Sequence, residues 1–310
     1  MKVYYHIEEF EGAANAAVTT GTFDGAHIGH QKILKRLIEV AKNANGESVL
    51  LTFHPHPRLV LQPDIDLQLL NTQQEKIKRL ELAGIDHLII HPFTKEFSRL
   101  SSMEFVRDIL VDQIGTKKLV IGYDHHFGRN REGSFEHLLE YGPTYGFDVE
   151  EISALDIDHV NVSSTKIRTA LLQGDLETAA TYLSYNYEFS GKVVKGKQIG
   201  RSIGFPTANI DLESSHKLIP ADGVYAVHVK INNSLHYGML NIGLRPTVSN
   251  ENTKSVEVNI FDFDQELYGT EITVILQHRV RDEQRFSSVD NLKSQLEKDK
   301  QACKKHLNIS

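Results

Sequence analysis

Up to about residue 183, short β-branched runs alternate with stretches in which apolar residues return every three or four positions. AVTTG (17–21), SVLLTF (48–53), HLIIH (87–91), KLVIG (118–122) and DVEEI (148–152) read as strands. Between them, HQKILKRLIEVAKNA, TQQEKIKRLELAG and SMEFVRDILVDQIG read as amphipathic helices. This β-α-β-α order predicts an α/β fold, a parallel sheet with helices on both faces and ligands at the carboxyl ends of the strands. The residues of chemical interest do follow strand ends: Gly21 onward, His54 onward and Gly122 onward. Strand order is not legible from the pattern.

After about Tyr187 the period changes to two. EFSGKVV, GVYAVHVKI, LHYGMLNI, KSVEVNIF and EITVIL are strand-like and are separated by turn chemistry such as Pro-Ala-Asp-Gly and Asn-Asn-Ser. No helical pattern interrupts them until the C-terminus, where Val289, Leu292, Leu296, Cys303 and Leu307 fall near one face. The expectation is a small antiparallel β-barrel closed off by a terminal helix. Two domains follow, 1–185 and 186–310, abutting at SYNY (184–187) without a Gly/Pro-rich linker.

Composition narrows the function classes. A chain of 310 residues with 40% hydrophobic and 24% charged content is an ordinary globular protein, and no apolar run approaches a membrane span. The opening MKVYYHIEEFEG has acids where a signal peptide needs an apolar core. With one cysteine, Cys303, there is no internal disulfide and no thiolate-rich zinc site, so a cytoplasmic setting is expected. The net charge of −7 sits in the front part, with 18 Lys and Arg against 26 Asp and Glu over residues 1–185, and 16 against 15 thereafter. Without a basic stripe, neither nucleic acid nor a membrane is an expected partner; small molecules are.

Gly21–His30 reads GTFDGAHIGH. Gly21 and Gly25 permit turn conformations, and His27 and His30 stand three apart just before the amphipathic run from Gln31. Imidazoles at a helix N-terminus meet anionic oxygens alongside free N–H groups, and phosphate chemistry would use them to stabilise developing charge. An isolated His-x-x-His is more often a pair of surface histidines; Thr-Phe-Asp-Gly immediately before it, after a strand, reverses that balance. The partner segment is Ser163-Ser164-Thr165-Lys166-Ile167-Arg168. Its hydroxyls are good helix caps, and with the fork of Arg168 they also make a clamp for triphosphate oxygens.

In the second half, GKVVKGKQ (191–198) falls short of a phosphate-binding Walker loop because Gln198 stands where Ser or Thr must ligate magnesium. The longer GKVVKGKQIGRSIGFPTANI offers backbone approaches for phosphate at Gly191, Gly196, Gly200 and Gly204. If Thr207-Ala208-Asn209 is extended, the Thr207 hydroxyl and the Asn209 amide point the same way and can share a magnesium ion with a nucleotide. Glu257 lies mid-strand in SVEVN; it is a suitable proton acceptor for a kinase acting on an alcohol, but a mid-strand carboxylate is usually just solvated. His54 and His56 without further ligands make a poor metal site.

The front motifs, together with TFHPHPR (52–58), EKIKRLELAGID (75–86) and GYDHHFGRNREG (122–133), resemble the FMN adenylyltransferase half of prokaryotic bifunctional FAD synthetases over residues 15–183. That resemblance implies a Rossmann-like nucleotidyltransferase domain. It implies ATP contacts at Gly21, Phe23, His27, His30, Asp124, Ser163, Ser164, Thr165 and Arg168. Residues 188–302 resemble the riboflavin kinase module through PTAN, PADGVYAV, NIGLRPTV, VEVNIFDFDQELYG and RVRDEQRFSSVDNL. By position this implies Thr207 and Asn209 as Mg2+–ATP ligands, Gly196 and Gly204 as ATP contacts, and Glu257 as catalytic base. Arg281 and Phe286 would border the flavin. Riboflavin, FMN, FAD and ATP are then substrates and products. The chain departs from the family pattern at His125-His126, where an aromatic and a basic residue are common, and at Asn259, where histidine is frequent. Two rival readings remain at this point: a non-catalytic flavin-responsive regulator, and an adenylyltransferase for another phosphorylated vitamin with an appended β-module.

Overall fold

Alternation along the parallel strands sorts their side chains into two layers. In the computed structural model, which describes residues 1–153, 162–196, 199–212, 214–232, 234–245 and 253–309, Val18, Val49, Leu51, Ile89, Leu119 and Ile121 pack on one face of a sheet. Their neighbours Ala17, Leu50, Leu88, Ile90 and Val120 pack on the other. Both faces being buried is what gives such strands near-continuous apolar runs.

The sheet has six strands: β1 (Lys2–Tyr4), β2 (Ala17–Thr20), β3 (Ser48–His54), β4 (His87–Pro92), β5 (Lys118–Gly122) and β6 (Asp148–Ile152). Their order is β1-β4-β3-β2-β5-β6, all neighbours parallel. β1 carries no pattern long enough to announce itself in three residues. Helices α1 (Ile28–Asn43) and α3 (Gln73–Ala83) cover one face through Leu34, Leu37 and Leu80. The other face is covered by α4 (Ser102–Glu104), which runs into a π-helical turn segment Phe105–Gln113, and by α5 (Phe135–Tyr145). The short α2 (Pro57–Leu61) follows β3.

By packing, the chain divides into two units, Met1–Ser164 and Thr165–Ser310. Helices α6 (Ser164–Gln173) and α7 (Leu176–Leu183) therefore stand almost wholly in the second unit, and the division expected at 185/186 lies after them. A Leu171 carbonyl accepting from Ala221 N at 3.0 Å shows how α6 is tied there.

The second unit is a closed antiparallel barrel in the order β10-β11-β8-β7-β12-β9. Its strands are β7 (Glu188–Val194), β8 (Ala208–Asp211), β9 (Gly223–Ile231), β10 (Ser234–Arg245), β11 (Thr253–Ile260) and β12 (Glu271–Arg281). A one-turn helix, α8 (Ile199–Ser202), interrupts the strands where no helix was expected. The terminal helix α9 (Val289–His306) packs Leu296, Cys303 and the following Leu307 against Phe205, Ala226, Met239 and Phe261. Val289, expected on that face, is exposed at the helix start. Gln198, Asn233 and Pro246–Val248 of the sequence motifs lie outside the described residues.

Candidate active sites

In the first unit, β2 ends at Thr20 and the loop Gly21–His27 turns the chain into α1. The turn runs through left-handed backbone at Phe23, Gly25 and Ala26, with φ of 49°, 85° and 39°. Two non-glycine residues held there store strain of the kind found at ligand loops. A Cβ on Gly21 would lie 3.1 Å from the Phe23 ring, so glycine is what lets that ring fold back. Phe23 in turn lies 4.7 Å from the His30 ring.

His27 is the N-cap of α1: its Nδ1 accepts from His30 N at 3.4 Å. An accepting Nδ1 leaves the neutral imidazole with its proton on Nε2, as a donor. The His27 and His30 rings stack at 3.7 Å and 15°. His30 Nδ1 is enclosed and has no hydrogen-bond partner among the described residues. Burial first, then the neighbouring His27 and Lys76, hold His30 well below the ordinary histidine range. A helix N-terminus with free N–H groups is a place where an anion can bind.

Asp24, buried, accepts from Leu70 N at 3.0 Å and Asn71 N at 3.3 Å through its carboxylate. Its carbonyl accepts the Ser164 hydroxyl at 3.0 Å, a contact within the first unit, of which Ser164 is the last residue. Ser163 precedes that contact; Thr165 and Arg168 continue along α6 in the second unit. Asp124 sits exposed in the turn after β5, the parallel neighbour of β2, on the same carboxyl edge of the sheet. Beside it, burial and then His126 and Arg131 hold His125 at about 4, so this imidazole is neutral at pH 7.

In the barrel, Thr207-Ala208-Asn209 leads into β8, and register sets Asn209 directly opposite Glu257 of β11. The Thr207 hydroxyl donates to Glu257 Oε2 at 3.3 Å. Asn209 is only 6% exposed, and a Cβ on Gly196 would lie 2.2 Å from its Nδ2. Glycine at 196 is thus what admits that amide. Gly204, at φ 90°, closes the turn after α8. Asn259 Nδ2 donates to Pro206 O at 2.6 Å, so the residue that departs from the family pattern anchors the entry to Thr207.

Arg281, expected to border the flavin, is held by neighbouring groups of the protein. Arg281 Nε and Nη2 bind both oxygens of Asp299 at 2.9 and 2.7 Å, and Nη1 donates to Asp282 O. Arg281 lies 5.9 Å from the centre of the Phe286 ring. Asp299 and Lys76 were not singled out by the sequence reading. The signal for Asp299 was a carboxylate placed three after Leu296 and four before Cys303, on the apolar stripe of α9. For Lys76 it was the spacing of four to buried Leu80.

A family model described as FAD synthetase matches residues 10–166, and one described as riboflavin kinase matches residues 183–307. A bifunctional riboflavin kinase/FMN adenylyltransferase of Buchnera aphidicola subsp. Schizaphis graminum is 39% identical over 96% of this chain and 95% of its own. The protein of that name from Escherichia coli K12 is 36% identical over 94% and 93%. A crystal structure of a macrolide-efflux protein from Streptococcus pneumoniae covers 98% of both chains with a TM-score of 0.88 at 30% identity. Efflux is said of that protein alone; among the described residues here, no helix is long and apolar enough to cross a membrane. Two family models in series, and relatives matched over nearly their whole length, place this chain in the bifunctional riboflavin kinase/FMN adenylyltransferase family.

Proposed function

We infer that this chain makes FMN from riboflavin and ATP, and then FAD from FMN and ATP. The observation that carries the reading is the convergence of Thr207, Asn209 and Glu257 at one point of the barrel, in the same chain as the His27–His30 helix start. A kinase site supplies FMN, which makes FMN the natural acceptor for the nucleotide-transfer site. We assign residues 1–185 to adenylyl transfer and 186–310 to the kinase.

In the kinase step, the riboflavin 5′-hydroxyl oxygen bonds to the γ-phosphorus as the bond to the β-phosphate oxygen breaks. ADP leaves and Glu257 accepts the hydroxyl proton. The Thr207 hydroxyl orients that carboxylate. Thr207, Asn209 and Glu257 offer hard oxygen donors, a set that fits Mg2+ held mainly by nucleotide phosphates and water. The ion, when bound, neutralises phosphate charge. Gly196 and Gly204 give the phosphates room to approach the backbone.

In the adenylyl step, an FMN phosphate oxygen bonds to the α-phosphorus and pyrophosphate leaves. The attacking phosphate is already ionised, so positioning and charge stabilisation are sufficient. His27 and His30 donate to phosphate oxygens at the start of α1, with Gly21, Phe23 and Asp124 bordering the nucleotide. Ser163, Ser164, Thr165 and Arg168 hold the triphosphate. Arg281 and Phe286 shape the riboflavin pocket by packing. The composition supports a cytoplasmic setting, and neither nucleic acid nor a membrane enters this scheme. Chromatography of products from riboflavin, ATP and magnesium tests it: FMN followed by FAD is expected, and neither product would overturn the reading.

A further inference from the structure

Lys76 lies in the first turn of α3, a helix whose start is fixed by the nucleotide loop itself. The Asp24 carboxylate pins the backbone N–H groups of Leu70 and Asn71. Thr72 and Glu75 then close a capping box, with Glu75 N to Thr72 Oγ1 at 3.2 Å and Thr72 N to Glu75 Oε2 at 2.9 Å. One residue on, the Lys76 side chain returns to the motif: Nζ donates to Thr22 O at 3.3 Å and to Thr52 Oγ1 at 3.2 Å. Thr22 follows β2 and Thr52 lies near the end of β3, so the ammonium bridges two carboxyl strand ends.

An ammonium has three N–H groups and no acceptor. Two of these are engaged, both at long distances, and the third has no protein acceptor among the described residues. The residue is half-buried, and burial holds its ammonium down at about 8 against the opposing pull of Asp24. The groups that face it are Asp24 on the loop, His30 on α1 and His54 at the end of β3, and its charge depresses both histidines. His27 acts on the same cluster through His30. A buried cation with so little compensation is costly unless an anion completes its environment.

We propose that Lys76 is a positioning residue of the adenylyl-transfer site, bracing the ends of β2 and β3 and presenting a fixed positive charge to the phosphates held at the Gly21–His30 loop. This rests on the adenylyltransferase reading of that loop. It also gives the buried imidazole of His30 a reason to stay neutral and available as a donor.

The test measures FAD formation from supplied FMN and Mg2+–ATP across pH 6 to 10 in the full chain, with FMN formation from riboflavin as the internal control. In the parent protein kcat/KM is expected to fall above about pH 8, approaching tenfold per pH unit as the ammonium loses its proton. Lys76→Arg keeps the charge over this range and should remove that alkaline fall, because a guanidinium does not deprotonate here. Lys76→Met should lower the rate by on the order of 100-fold and leave it flat above pH 8. FMN formation should stay at the parent level throughout. Parent-like pH profiles in both variants would overturn the inference, as would a parallel loss of both activities, which would mark a role in folding alone. If the parent chain itself makes no FAD from FMN, it is the underlying reading that fails.

Discussion

Asp299 holds Arg281 by a two-pronged ion pair at 2.9 and 2.7 Å, with the carboxylate only 2% exposed. Gln295 Nε2 adds a third hydrogen bond to the same carboxylate at 2.8 Å. The pair fastens α9 to the end of β12. Breaking a buried pair from one side strands the other charge, at a cost of about 3–5 kcal/mol. Asp299→Ala should therefore lower the urea midpoint of the chain markedly. An unchanged midpoint would mean that solvent reaches Arg281 without penalty.

The two chemical steps should separate by mutation. Glu257→Gln keeps the shape of the site but cannot take a proton, so FMN formation should fall by about 10²–10⁴-fold. FAD formation from supplied FMN should continue. His27 needs more care, because it also caps α1. His27→Asn keeps a capping acceptor and removes the imidazole, so the reverse pattern is expected without the cap loss of about 1 kcal/mol. Kinetics on each step alone check both, and loss of both activities in either variant would sink the assignment.

Gly196 and Asn209 give a steric test. An added methyl would lie 2.2 Å from the amide of Asn209, which is itself buried and opposite Glu257. Gly196→Ala should cost about 1–3 kcal/mol by overpacking and should depress FMN formation while FAD formation is retained. Equal kinase rates in variant and parent would show that Asn209 has room to turn away.

Acid should weaken the first unit through His91. It is 8% exposed, its Nδ1 has no hydrogen-bond partner among the described residues, and burial, then His6, hold it at about 4. In the unfolded chain it titrates near 6.5. A histidine lowered by folding contributes stability above pH 6.5 and loses it as pH falls from about 6.5 to 4. The slope is at most about 1.4 kcal/mol per pH unit. His91→Phe should flatten the pH dependence of thermal unfolding in that window; an unchanged slope would assign the acid sensitivity elsewhere.

The alternation of periods along the chain was enough to read the strands, and several boundaries agree to the residue, as at Lys118–Gly122, Asp148–Ile152 and Gly223–Ile231. Local rules govern those segments. β1 and α8 escaped because three or four residues carry no period. Strand order escaped because it depends on packing, not on local pattern. At the candidate sites, the sequence brought out residues with unusual neighbours, such as His27 and Asn209. It passed over Lys76 and Asp299, whose importance comes from burial and pairing. A charged residue on an apolar helical stripe is the trace both leave in sequence.

The closed barrel has a consequence for how the protein fails when it misfolds. Closure leaves β7 to β12 without an open edge of unpaired amides and carbonyls to recruit another strand. The first unit's sheet ends at β1 and β6, and β1 is only three residues long. That leaves β6, of five residues, as the longer edge strand. Three of its five residues, Asp148, Glu150 and Glu151, are acids, so the charge that guards this edge is already in place and neutralising it should lower the solubility of destabilised variants.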